Sequence, residues 1–99
     1  ISSFQGRIIV PLIPEIIITP AYPRQAHREA LEGSAVICFE VLPNGEIYNP
    51  EFLELSDEIF RASSLDALMS TKFKPWGHLV ELERRPACRS YLYRLDYAY

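Results

Sequence analysis

The chain has 99 residues, 48% of them hydrophobic and 23% charged, which fits one folded domain with a modest stability margin. Its net charge of −3 gives no global basic field to attract nucleic acid. The apolar stretch from Ile8 to Ile18 is cut by Pro11, Pro14 and Glu15, so no run approaches the roughly 20 residues that a membrane-spanning helix needs.

Residues 1–19 read as an extended lead-in. Pro11, Pro14, Pro20 and Pro23 each remove a backbone donor and disfavour helix at the preceding residue, while Ile16, Ile17 and Ile18 favour extended backbone. The chain begins at Ile1 rather than Met, and the expectation is a fragment of something longer, with any membrane anchor lying upstream. The folded domain is expected over 20–99.

A short helix is expected from Pro23 to Leu31, with proline in the first turn and Gly33 as a left-handed cap just past the end. Ala35 to Leu42 reads as a strand in which Ala35, Ile37, Phe39 and Val41 alternate with Val36, Cys38 and Glu40. Pro43-Asn44-Gly45 marks a hairpin turn. The return strand runs from Glu46 to about Leu55, and Pro50 makes it an edge strand or places a bulge there. Ser56 is the expected N-cap of a second helix, with Asp57 and Glu58 in its first turn. Its apolar side is Phe60, Ser64, Leu65, Leu68 and Phe73; it runs to about Lys72 and stops at Pro75. Trp76 to Ala87 reads as a loop, and Arg89 to Tyr97 as the last strand.

The long helix joins the second and third strands as a crossover, and crossovers link parallel strands. The simplest arrangement puts the first strand in the middle, antiparallel to both others. The expected fold is therefore a two-layer α+β domain: a three-stranded antiparallel sheet of order 2-1-3 with two helices on its Phe39 face. The last strand lies at an edge.

Two readings of Cys38 and Cys88 stay open: two buried small apolar side chains, or one disulfide in an oxidising compartment. Strand parity turns both away from the helices, which permits a bridge without setting them opposite each other. A bridge closing a loop of roughly 50 residues contributes about 4 kcal/mol in the chain-entropy picture, less any strain. The spacing does not suit a zinc site, and no metal or cofactor is expected.

Nothing in the chain has the form of catalytic machinery. His27 and His78 have no nucleophile beside them, and no glycine-rich phosphate loop is present. Glu51, Glu54, Asp57 and Glu58 straddle a strand end and a helix start, where capping and solvation account for them. Tyr91, Tyr93 and Tyr97 share one strand face and read as core, not as stacking platforms for single-stranded nucleic acid.

Several of these pieces resemble the TonB C-terminal domain family in order and spacing. They are Tyr22-Pro23 opening the first helix, then Ala26, then Glu32-Gly33, then the alternating strand with Asn44-Gly45, then Phe60, Leu68 and Phe73-Lys74-Pro75. The resemblance spans roughly 19–97. It departs from the family at Thr19, where glutamine is frequent, and at Thr71, where tryptophan is frequent and for which Trp76 is a candidate substitute.

The resemblance implies a non-enzymatic domain in the periplasm, tied through an N-terminal helix to the inner membrane and to an ExbB/ExbD-like proton-driven motor. It implies a partner, the TonB box of an outer-membrane transporter, which adds as a strand to the last strand of the sheet; the cargo would be iron–siderophore complexes or similar nutrients. The partner-binding residues so implied are Thr19, Pro20 and Ala21 in the lead-in and Arg89, Ser90, Tyr91, Leu92, Tyr93, Arg94, Leu95, Asp96 and Tyr97 in the edge strand. An acidic residue at the start of the box would pair with Arg89 or Arg94. A bare edge also invites a homodimer. The alternative is a TonB-like or TolA-like sensor or scaffold domain of another envelope protein. The sequence upstream would separate the two: one transmembrane helix and a proline-rich linker suit a transducer, and several helices with an HExxH motif suit a signalling peptidase.

Overall fold

The computed structural model describes residues 12–76 and 84–95. The elements are β1 (Pro14–Ile16), α1 (Arg24–Arg28), β2 (Gly33–Val41), β3 (Ile47–Leu55), a 3-10 turn (Glu58–Phe60), α2 (Arg61–Ser70), β4 (Lys72–Phe73) and β5 (Arg85–Tyr93). The main sheet is antiparallel with order β3-β2-β5, as the connection argument requires, and β5 is an edge. A second, two-stranded piece pairs β1 with β4.

The core lies between the sheet and the helices. Ala35, Ile37, Phe39 and Val41 are buried on one face of β2, and Phe60, Ala67 and Leu68 cover them from the helical layer. Phe73 and Trp76 close the end near the hairpin, and Tyr91 and Tyr93 complete the core from β5. The tyrosine face is thus core: the Tyr93 ring stacks on Phe60 at 4.4 Å, and its hydroxyl bonds Ser64 Oγ at 2.7 Å. Tyr97 lies outside the described residues, as do Asp96 and His78.

Several boundaries differ from the sequence reading. Helix α1 ends at Arg28, and the left-handed residue is Ala30 (φ 54°), not Gly33. Gly33 opens β2 instead, and its need is space: a Cβ there would stand 2.3 Å from Ser56 Oγ and 2.5 Å from the Phe60 ring. Ser56 is not the helix cap. Its hydroxyl accepts from the Ser34 N–H, while Asp57 caps the 3-10 turn by accepting from the Ile59 N–H. Helix α2 stops at Ser70, because Lys72 and Phe73 are drawn out to pair with the lead-in.

The hairpin turn forms at Asn44-Gly45, with Gly45 at φ 90° and the Gly45 N–H bonded to the Leu42 carbonyl. The Gly45 carbonyl accepts from Phe73 N–H and the Pro43 carbonyl from Trp76 N–H, so the turn is also where β4 docks.

Strand β3 is both an edge and bulged. Its register against β2 shifts twice, once near Leu53 and once at the Asn49-Pro50 pair, where Asn49 has φ 55°. Proline cannot donate to a ladder, and the bulge absorbs it.

Candidate functional site

The last strand begins at Arg85, four residues earlier than expected, and ends at Tyr93. Its length is set by its partner. Gly33, the first residue of β2, faces Tyr93, and Val41, the last, faces Arg85. Arg94 and Leu95 therefore lie past the strand, where β2 offers nothing to pair with. The Leu95 N–H is taken by the Glu32 carboxylate at 2.8 Å.

The direction of each backbone group on β5 follows from two observations. Ser34 sends both of its groups to the β3 side: its N–H donates to Ser56 Oγ and its carbonyl accepts from Ser56 N–H. In an antiparallel strand the two groups of one residue point the same way, and successive residues point opposite ways. Ser34, Val36, Cys38 and Glu40 thus turn toward β3, and their partners Leu92, Ser90, Cys88 and Pro86 turn away from β2. The Cys38–Cys88 Cα separation of 4.0 Å agrees, since the non-hydrogen-bonded pair is the closely spaced one. The open side of β5 consequently presents N–H groups of Cys88, Ser90 and Leu92, together with the carbonyls of these three and of Pro86. Pro86 costs the sheet nothing, because its missing N–H would have pointed outward.

Cys38 and Cys88 are joined by a disulfide on the sheet face away from the helices. It ties the central strand to the middle of the edge. With β5 regular and β3 bulged, the two edges differ: β3 carries Glu51 and Glu54, whereas β5 carries Arg85 and Arg89. Bulges of the kind β3 carries blunt an edge against strand pairing, and β5 has none.

The arginines sort by face. Arg84 lies with Glu40 and Tyr48 on the outer face, its Nε 3.1 Å from the Glu40 carboxylate and its Cζ 5.2 Å from the Tyr48 ring. Arg85 and Arg89 share the helix-covered face, over the rings of Trp76 (5.7 Å) and Tyr91 (5.9 Å). Arg94 is exposed beyond the strand end. The Tyr91 hydroxyl is buried and makes no hydrogen bond, although Thr71 and Arg89 are close. Burial pushes its pKa above the ordinary phenol value, and the positive charge of Arg89 opposes that shift.

The lead-in residues are placed elsewhere. Thr19, Pro20 and Ala21 line a groove of about 470 Å³ against Ile59, Ala62, Ser63 and Asp66, and Ser63 donates to the Ala21 carbonyl. Their connection to β5 runs through Tyr22, whose ring meets Tyr93 edge-on at 5.6 Å and whose hydroxyl donates to the Leu31 carbonyl. The expected strand, from Arg89, leaves out Arg85, Pro86, Ala87 and Cys88. The signal was present in Cys88, which alternates in phase with Ser90 and Leu92.

Among the described residues no cluster of histidine, cysteine or carboxylate side chains could hold a metal. Of the four acidic residues singled out, Asp57 acts as a cap and Glu58 pairs with Arg61 at 2.8 Å.

The profile of the family described as Gram-negative bacterial TonB protein C-terminal matches residues 18–81. The chain belongs to the TonB C-terminal family. Domains of this family are periplasmic and act as non-enzymatic transducer modules. The fold matches the solution NMR structure of the Pseudomonas aeruginosa TonB C-terminal domain with a TM-score of 0.75 at 21% identity, covering 89% of this chain and 90% of that one. At that identity the likeness speaks to the fold. No curated protein matches the chain in sequence. Strand β5 of this TonB-type domain lies wholly past the matched residues, so its edge rests on the geometry above.

Proposed function

We propose that this domain receives the TonB box of an outer-membrane transporter as an added strand along β5, and passes on energy derived from the proton-motive force for uptake. One observation carries the reading: β5 is a regular edge whose open side offers three N–H groups and four carbonyls in ladder spacing. A guest strand satisfies these groups without displacing any bond to β2. The acidic, doubly bulged β3 offers no equivalent. In this reading residues 1–19 are the end of a periplasmic linker and 20–99 the binding domain. An inner-membrane helix and an ExbB/ExbD-like motor engage the protein upstream, and siderophore-bound iron is a natural cargo. Thr19, Pro20 and Ala21 join the site from the side of α2.

The test is an NMR titration of the labelled domain with peptides covering the boxes of transporters from the same organism. Strand addition predicts saturable shifts concentrated at residues 86–92 and new cross-strand contacts to the peptide. Shifts confined to the β3 edge, or none with any peptide, would refute it. Sedimentation across a concentration range reports whether a second copy occupies the same edge.

A further inference from the structure

The β5 edge has side-chain features as well as backbone ones, and they imply a guest of particular composition. Arg85, Ala87 and Arg89 follow one another on the helix-covered face. The two arginine Cα atoms therefore stand about 13 Å apart, four residues at about 3.3 Å each, with the smallest possible apolar side chain between them. Each guanidinium lies over an aromatic ring, Trp76 for Arg85 and Tyr91 for Arg89, which holds its plane while leaving N–H donors at its rim. Among the described residues neither has a carboxylate within ion-pair distance, whereas Arg84 is already engaged by Glu40. Ala87 is half-buried and packs against the core, so the face dips between the two cations.

A strand added to β5 places residues directly opposite these three on the same face, because side-chain direction alternates with period two. We infer that the preferred guest carries the pattern acidic–x–apolar–x–acidic, its two carboxylates on Arg85 and Arg89 and its apolar side chain over Ala87. This rests on the strand-addition reading and fixes the register within it, since a slip of one residue turns all three guest side chains to the disulfide face. The pattern is the same read from either end, so it selects register and composition and leaves strand direction to other contacts. The two x positions fall opposite Pro86 and Cys88 on the outer face, where both are exposed and a guest side chain meets solvent.

The test uses capped synthetic peptides built on a Thr/Val background. One has Asp residues four apart with Leu midway, a second has both Asp changed to Asn, and a third has the acids three apart. The labelled domain is titrated with each by NMR at two salt concentrations. The four-apart peptide should bind more tightly than the Asn peptide by about two- to fivefold per carboxylate, the size of a largely exposed ion pair, with the gap closing at high salt. Arg85→Gln and Arg89→Gln should each remove one carboxylate's share, and Arg84→Gln should leave both. Equal affinity of all three peptides, with shifts still centred on β5, would overturn the acidic pattern while strand addition stands. Absence of shifts at β5 with every peptide would overturn strand addition itself.

Discussion

Cys38 lies directly opposite Cys88, and the bond between them ties the centre of the sheet to its open edge. Among the described residues β5 pairs with β2 alone, and the bond adds a covalent restraint to an element otherwise held by one ladder and by side chains such as Tyr91 and Tyr93. The double variant Cys38→Ser/Cys88→Ser should lose about 2–4 kcal/mol of unfolding free energy in denaturant titrations. In hydrogen exchange its β5 amides facing β2 should lose protection before those of α2. Unchanged stability would mean that the ladder and the tyrosines hold the strand alone.

Proline scanning separates the two sides of β5. Ser90→Pro removes an outward N–H, as Pro86 already does, so the fold should persist while an added strand binds roughly tenfold more weakly, the scale of one lost hydrogen bond. Arg89→Pro removes an N–H directed at β2 and should unfold the edge. Thermal melts combined with peptide titration distinguish the cases. Wild-type binding by a folded Ser90→Pro domain would contradict the assigned backbone directions.

Gly45 holds the hairpin against β4. Its φ of 90° disfavours any side chain, and a Cβ would lie 2.1 Å from the Phe73 carbonyl oxygen. Gly45→Ala should cost at least about 2 kcal/mol, the left-handed penalty of about 1–2 kcal/mol plus displacement of β4. Chemical denaturation gives the magnitude, and loss of protection at the Phe73 and Lys74 amides locates it. Both amides are bonded there, to the Gly45 and Ile13 carbonyls.

Tyr91 and Tyr93 sit two residues apart with opposite prospects. Tyr91→Phe deletes a buried hydroxyl that has no hydrogen bond and should be neutral or stabilising by up to about 1 kcal/mol. Tyr93→Phe leaves Ser64 Oγ without its partner and should cost about 1 kcal/mol.

The pH dependence follows from Tyr91. Its pKa is raised in the fold, so the folded state holds the proton more tightly than the unfolded chain does. Its contribution is intact below the ordinary value of 10.0 and is lost as pH rises through the higher folded value. Alkaline denaturation should therefore be shallower for Tyr91→Phe than for wild type. The Glu58 carboxyl is held low by its hydrogen bond from Arg61, so that contribution is present above 4.5 and fades as pH falls through the depressed value. Both side chains are exposed, which keeps the effect small.

Layer architecture and strand order were already legible in the chain. Alternation in 35–41 and the Asn44-Gly45 turn are local, period-two and turn-chemistry signals, and a crossover helix leaves a three-stranded sheet one sensible arrangement. The chain also located the edge strand, because few residues remained after the helix. What the chain could not disclose is where partners in space overrule local preference. Lys72 and Phe73 leave the helical register because β1 and the Gly45 carbonyl capture their backbone. Strand β5 starts at Arg85 and stops at Tyr93 because β2 is that long. Cys38 meets Cys88, and Arg85 shares a face with Arg89 above Ala87, only once register is fixed. Register belongs to pairs of strands and has no expression in either strand alone, so the chemistry of this edge was decided by tertiary structure.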